Sequence, residues 1–170
     1  ALAIIPKLEV WGGSSRLRHG ELFTSIGTSL AASTSRLQSL SLKRVRLEDT
    51  SAQALGSGLQ HTRTLQELDL RHSCLGVVWH DRPGIRALCT GLRQKTTLRR
   101  LNMGNCELDD DDVLHLAQAL QGRSPSSPSS SSCLQECLLE CNKCGFFGLR
   151  AIATLLQDNR LVKLDLSRQG

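Results

Sequence analysis

The stretch LQSLSLKRVRL, residues 37–47, decides the fold. Its apolar side chains recur as L-x-x-L-x-L-x-x-V-x-L, so its central residues alternate with a period of two. Such alternation over three or four residues is typical of a short β-strand. The pattern returns further along the chain, complete or truncated, and a degenerate copy with Ile5, Leu8 and Val10 opens it. The recurring positions are Leu37, Leu40, Leu42, Val45, Leu47; Leu65, Leu68, Leu70, Ser73, Leu75; Leu98, Leu101, Met103, Cys106, Leu108; Leu134, Cys137, Leu139, Asn142, Cys144; and Leu161, Leu164, Leu166.

A helical half follows each strand pattern. Apolar residues four apart form one stripe of a helix that faces the strands. These pairs are Ile26/Leu30, Leu55/Leu59, Leu88/Leu92, Leu116/Leu120 and Ile152/Leu156. Units begin at residues 37, 65, 98 and 134, after a degenerate first unit over 5–36 and before a truncated unit from 161. The starts are 28, 33, 36 and 27 residues apart, so the unit has about 28 residues, with insertions in two connections.

Stacking is the way in which such units can bury their leucines. One strand and one helix cannot shelter both apolar faces, whereas stacked neighbours share one core and one parallel sheet. Helices are wider than strands, so the stack bends with the strands on the inside. The sequence therefore predicts one α/β domain over 1–170, with about five and a half repeats.

This organisation resembles the leucine-rich repeat family, in particular the ribonuclease-inhibitor-like subtype of ribonuclease inhibitor, cytosolic innate immune receptors and the Ran GTPase-activating protein. The resemblance implies a solenoid shaped as a curved horseshoe, with parallel strands on the concave face and helices on the convex face. It also implies that Cys106, where this family often has Cys or Asn, bonds the backbone at the strand exit. Cys137 and Cys144 depart from the pattern, because leucine is usual there.

Composition excludes several classes of protein. The 170 residues carry a net charge of +5 and are 39% hydrophobic, which is typical of a folded globular chain. No stretch approaches the roughly 18 apolar residues of a membrane span. Seven cysteines are an odd number, which favours free thiols in a reducing, cytoplasmic compartment. The absence of an initiator Met and the truncated last unit lead us to expect a piece or subunit of something larger.

Catalytic and metal-binding patterns are missing from the sequence. It contains no G-x-x-x-x-G-K-[ST], G-x-G-x-x-G, H-E-x-x-H or G-x-S-x-G, so we expect neither an enzyme nor a cofactor. The run Asp109–Asp112 fits an N-cap and first helical turn better than a metal site. Cysteines 133, 137, 141 and 144 do not fit a zinc site, because Cys137 and Cys144 take inward positions and Cys141 an outward one.

Outward strand positions supply the candidate binding surface. Neighbouring strands lie about 4.8 Å apart, so Lys43, Arg44, Arg71 and His72 are expected to form one basic patch that prefers an acidic protein partner. Trp11 and Leu138 are the candidate anchors. Glu136 and Glu140 make the later copies more negative. The candidate partner-binding residues are Trp11, Lys43, Arg44, Asp69, Arg71, His72, Arg100, Asn102, Leu138 and Glu140.

Two insertions lie outside the repeat pattern. Residues 123–132 read RSPSSPSSSS and predict a flexible surface loop, in which Ser124 and Ser127 precede proline and are candidate phosphorylation sites. Residues 76–83 carry Trp79, which either anchors a contact or folds back onto the helix edge.

The sequence favours a non-enzymatic scaffold that binds a protein through its concave face and open end, within a larger assembly. An alternative is association with RNA or ribonucleoprotein through the basic half, although base-stacking aromatics are nearly missing. A fragment of an innate immune sensor is a further alternative, which rests on the family resemblance alone.

Overall fold

The structure is a computed structural model, and it describes residues 6–12, 20–32, 35–75, 82–93, 97–121, 134–158 and 161–170. Within these ranges a strand and a helix alternate along the chain. The strands are β1 (Lys7–Trp11), β2 (Ser39–Lys43), β3 (Glu67–Asp69), β4 (Arg100–Asn102), β5 (Glu136–Leu138) and β6 (Lys163–Asp165). The helices are α1 (Gly20–Ala31), α2 (Asp49–His61), α3 (Pro83–Leu92), α4 (Asp110–Gln121) and α5 (Phe146–Ala153), which a 3-10 turn (Thr154–Asp158) extends.

The six described strands form one parallel sheet in the order of the sequence. Leu40 pairs with Leu68 and Leu68 with Leu101, so the leucines of successive repeats lie side by side. After each of the strands β1 to β5, the chain passes through a helix on the other side of the core and then returns to the sheet. Strands spaced by about 4.8 Å and helices spaced by about 8–10 Å require a bend with the strands inside. The predicted α/β leucine-rich repeat solenoid is therefore confirmed.

The core contains the predicted leucines of the repeat, which are buried from Leu37 to Leu139. One prediction for the helical stripe is wrong. Leu155 is 8% exposed and takes the core position expected for Leu156, which is 49% exposed. The helix tightens into the 3-10 turn at Thr154, so the inward side chain comes three residues after Ile152 rather than four.

Glycine allows the first three helices to pack with their backbones in close contact. A Cβ atom on Gly56 would lie 2.4 Å from the carbonyl oxygen of Ala87, and one on Gly91 would lie 2.3 Å from that of Gly56. At the positions that correspond to Gly56, α3 carries Cys89 and α4 carries Ala117. The described glycines that lie against the carbonyl of a neighbouring helix therefore belong to α1, α2 and α3.

The corners after β3, β4 and β5 are held by side chains that bond the neighbouring repeat. Ser73 donates to the carbonyl of Leu42 (2.6 Å), and the thiol of Cys106 donates to that of Leu70 (3.0 Å), as predicted. Asn142 satisfies four backbone groups: it accepts from the amides of Cys106 and Leu108 and donates to the carbonyls of Met103 and Leu139, over 2.8–3.1 Å. These polar residues join successive repeats without interrupting the apolar core.

Several predictions fall outside the described residues: the loop 123–132 with Ser124 and Ser127, the segment with Trp79, and Cys133. Among the helices that are described, none is both long and apolar enough to cross a lipid bilayer.

Candidate functional site

The outward side chains of the sheet lie in three rows across the concave face. The first row is Lys7, Ser39, Glu67, Arg100, Glu136 and Lys163, and the middle row is Glu9, Ser41, Asp69, Asn102, Leu138 and Asp165. The upper row is Trp11, Lys43, Arg71, Gly104, Glu140 and Ser167, where backbone hydrogen bonds continue the ladder beyond the strands. Nearly all candidate binding residues lie in these rows.

The residue after the upper row has a left-handed backbone in the four full repeats and in the truncated last one. Arg44, His72, Asn105, Cys141 and Arg168 have φ between 52° and 59°, an uncommon region for residues other than glycine. Their amides remain in the ladder, since that of Arg44 donates to Arg71 and that of His72 to Gly104. This turn directs the chain off the sheet and leaves Arg44 and His72 exposed at its edge.

Asp69 connects the predicted basic residues of the first half. Its Oδ2 lies 3.4 Å from Lys43 Nζ and 2.9 Å from Arg71 Nη2. Lys43 Nζ also lies 5.5 Å from the ring centroid of Trp11, a cation–π distance. Trp11 is 64% exposed. The structure thus brings Lys43 and Arg71 together as expected, around a carboxylate whose bridging role the sequence did not reveal.

His72 and Arg44 lie beside this network in the turn row. Asn105 Nδ2 donates a hydrogen bond of 2.7 Å to His72 Nδ1, which connects two successive turns. Arg44 is exposed, and no carboxylate in the described part of the chain pairs with it. Arg44 therefore carries positive charge that the protein's own described acids leave available.

Two candidate residues of the later repeats are buried instead of exposed. Leu138, predicted as an anchor, is 6% exposed and Asn102 is 2% exposed. Asn102 Oδ1 accepts from the amide of Gly104 (3.1 Å), so this side chain stabilises the turn that follows its own strand. Both lie in the middle row of an inward-curving sheet, where the rows on either side crowd short side chains. The prediction that Leu138 is an exposed anchor is wrong.

The remaining candidates, Arg100 and Glu140, differ in their pairing. Arg100 Nε lies 3.4 Å from Glu136 Oε2 in the first row. Glu140 lies over Gly104, where an added Cβ would come within 2.4 Å of the carboxyl carbon. Its Oε2 is buried and has no hydrogen-bond partner among the described residues. No sequence pattern indicated this packing.

The aspartate run acts at helix starts. Asp109 Oδ1 accepts from the amide of Asp112 (3.0 Å) while Asp112 Oδ2 accepts from that of Asp109 (3.2 Å), so the predicted N-cap is confirmed. Asp110 Oδ1 accepts from the amides of Gly145 (2.6 Å) and Gly148 (2.9 Å) at the start of α5. A carboxylate of one repeat therefore caps the helix of the next, which the sequence did not predict.

The cysteines take the predicted sides of the sheet. Cys137 and Cys144 are buried, whereas Cys141 is half-buried on the outward side. Burial raises the pKa of the Cys137 thiol, and also that of Cys106, to about 12, so both are protonated near neutral pH. In the described part of the chain, no three side chains of His, Cys, Asp or Glu converge as a metal site requires.

The geometry defines a leucine-rich repeat solenoid, and comparisons with known proteins agree. No family model matches the chain. Leucine-rich repeat-containing protein 45 of Gallus gallus is 35% identical over 89 residues, which are 52% of this chain. NACHT, LRR and PYD domains-containing protein 12 of Mus musculus is 34% identical over 138 residues, or 79% of this chain. The chain spans a small part of both relatives, 13% of the first and 12% of the second. These similarities support assignment to the leucine-rich repeat proteins.

Proposed function

We propose that this domain is a protein-interaction module that binds its partner on the concave face. The observation that carries the proposal is the network of Trp11, Lys43, Asp69 and Arg71, which holds an exposed indole beside fixed charges. Aromatic anchors with ordered polar neighbours are typical of binding hot spots. The helix that follows each of the strands β1 to β5 supports the ribonuclease-inhibitor-like subtype.

The charge of this surface favours an acidic protein partner. Lys43, Arg44 and Arg71 stand against the one carboxylate of Asp69, so an excess of positive charge remains at the edge of the sheet. Complementary charge steers and orients a partner. Affinity comes from the area of the Trp11 side chain that the partner covers on binding. This chemistry requires no catalytic group, and we infer binding rather than catalysis.

RNA is a weaker candidate for this surface. Asp69 engages both Lys43 and Arg71, and a phosphate backbone would have to approach that carboxylate. We therefore place the domain in a protein assembly, with the exposed Phe146 and Phe147 of the last full repeat available for further contacts. A cytoplasmic location is part of this proposal, supported by the free thiols of the described cysteines. Membership of an innate immune sensor stays an alternative that rests on the family resemblance.

The test is a pull-down with the charge-reversal pair Lys43→Glu and Arg71→Glu. Arg150→Glu serves as the matched control, because Arg150 is an exposed cation on helix α5, away from the strands. We expect the pair to lose captured proteins that the wild type and the control retain, with thermal unfolding measured on all three. Unchanged capture of every partner would show that the concave network does not take part in binding. RNA retained at low salt by the wild type, and lost with the pair, would favour the nucleic-acid alternative.

A further inference from the structure

Glu140 differs from the other carboxylates at outward strand positions. Each of the others has a partner: Glu9 has Lys7, Glu67 has Ser39, Asp69 has Lys43 and Arg71, Glu136 has Arg100, and Asp165 accepts from the amide of Ser167. Among the described residues no donor pairs with the carboxylate of Glu140, and its Oε2 is buried. A buried carboxylate oxygen without a hydrogen bond costs free energy, and the half-buried Glu140 side chain as a whole stays accessible to a donor from outside.

The backbone beneath Glu140 is shaped to receive its carboxylate. Gly104 lies under the carboxyl group, where a Cβ would come within 2.4 Å of both Cδ and Oε1. In the two preceding repeats this position of the upper row carries the cations Lys43 and Arg71. The glycine therefore leaves a gap in the row of cations, and the acid fills it.

We propose that Glu140 receives an arginine or lysine side chain of the protein that binds the concave face. This inference rests on the proposed function and adds a second contact, in which the partner carries a positive charge. Charge-assisted hydrogen bonds to a carboxylate are stronger than neutral ones, and a partly buried carboxylate is weakly screened. The partner thus presents a base to β5 and an acid to β2 and β3.

The spacing of the strands sets the spacing of these two groups. Arg71 and Glu140 belong to strands two steps apart, which is about 10 Å at 4.8 Å per step. An extended segment that crosses the strands covers this distance in about three residues, at roughly 3.3 Å per residue. The partner segment is therefore expected to carry an acid and a base about three positions apart if it binds in an extended form.

The variants that test this contact can be matched closely. Glu140→Gln removes the charge and keeps the shape. Gly104→Ala keeps the charge and displaces the carboxylate, a small change because a Cβ there meets the end of the flexible Glu140 side chain. Glu136→Gln is the control, since that carboxylate lies on the same strand and already has Arg100. Thermal unfolding is measured for each variant to establish that it is folded.

The probe is a displayed library of random peptides selected on the folded wild-type domain. The strongest binder is then synthesised with its basic residue intact and with a neutral isostere, citrulline for arginine or norleucine for lysine. We expect the intact peptide to bind Glu140→Gln and Gly104→Ala about tenfold more weakly or worse, and Glu136→Gln unchanged. The neutral peptide should lose affinity for the wild type and show little further loss on Glu140→Gln, which is the signature of a direct pair.

The outcomes separate this inference from the function on which it rests. Peptides that need Trp11 and Lys43 but bind Glu140→Gln as tightly as wild type would overturn the Glu140 contact and leave the proposed function standing. Peptides that are selected without any basic residue would overturn it equally. A library that yields no binder to the wild-type concave face would count against both.

Discussion

The first three repeats and the later ones hold the same backbone register by different chemistry. In the first part, glycines such as Gly56 bring helix backbones into contact, and the corner carries Ser73 with its two hydrogen bonds. In the later part, Ala117 replaces glycine and Asn142 makes four hydrogen bonds at the corner. The upper row changes from cations to Glu140. Register therefore depends on the leucine pattern, while packing, corner bonding and surface charge vary between repeats.

The largest expected difference lies at the corners. Asn142→Ala leaves two backbone amides and two carbonyls without their partner, whereas Ser73→Ala removes two hydrogen bonds. We expect losses in the free energy of unfolding of about 3–5 kcal/mol and about 1–2 kcal/mol respectively. Urea denaturation of both variants measures the two values. Equal losses would show that the corner contributes alike in both parts, contrary to the comparison.

The next effect concerns helix contact in the first part. Gly56→Ala places a methyl group against the carbonyl of Ala87, a backbone atom that cannot move aside without a shift of helix α3. We expect a loss of about 1–3 kcal/mol, although alanine is the better helix former. Gly20→Ala is the control, because nothing lies within 4 Å of a Cβ at that position. Thermal unfolding of Gly56→Ala and Gly20→Ala measures the two changes in stability. A Gly56→Ala protein more stable than the wild type would contradict the close packing.

The smallest effect concerns the cap that passes between repeats. Asp110→Ala removes the acceptor of two amides at the start of α5, and Asp49→Ala removes the acceptor of the Gly84 amide in α3. Loss of a helix cap costs about 0.5–2 kcal/mol, so we expect Asp110→Ala near the upper end and Asp49→Ala near the lower end. Hydrogen exchange at the amides of Gly148 and Gly84 reports each cap locally. Unchanged exchange at Gly148 in Asp110→Ala would show that the cap contributes nothing.

The sequence predicts the fold well because the positions of the leucines in the repeat are the positions that are buried in the core. Leu40, Leu68 and Leu101 had to lie in one row once their repeats were aligned, and the same alignment placed Lys43 and Arg71 on the outward face. The Asp109 cap followed from its position at the start of a helix, and the backbone bond of Cys106 followed from the family resemblance. These features depend on neighbours in the chain or on the repeat period, both of which can be counted.

Other features depend on curvature and on contacts between side chains of different repeats. The sequence treated Leu138 and Asn102 as exposed because outward positions alternate, yet crowding on an inward-curving face buries both. The bridging role of Asp69 and the position of Glu140 over Gly104 depend on side-chain conformations. The 3-10 turn that places Leu155 inward is a local departure from helical geometry that the period of four could not reveal.

The repeats stack in register, so that outward positions form continuous rows on one face. Ser39 and Glu67 are register partners on β2 and β3, close enough for a disulfide between cysteines. Arg71 lies four residues beyond Glu67, which adds roughly 13 Å along the strand. Under mild oxidation, followed by peptide mapping to separate native thiols, we predict a bond in the Ser39→Cys, Glu67→Cys protein and none between those sites in Ser39→Cys, Arg71→Cys. Equal bonding in the two proteins, or bonding in the second alone, would contradict the account.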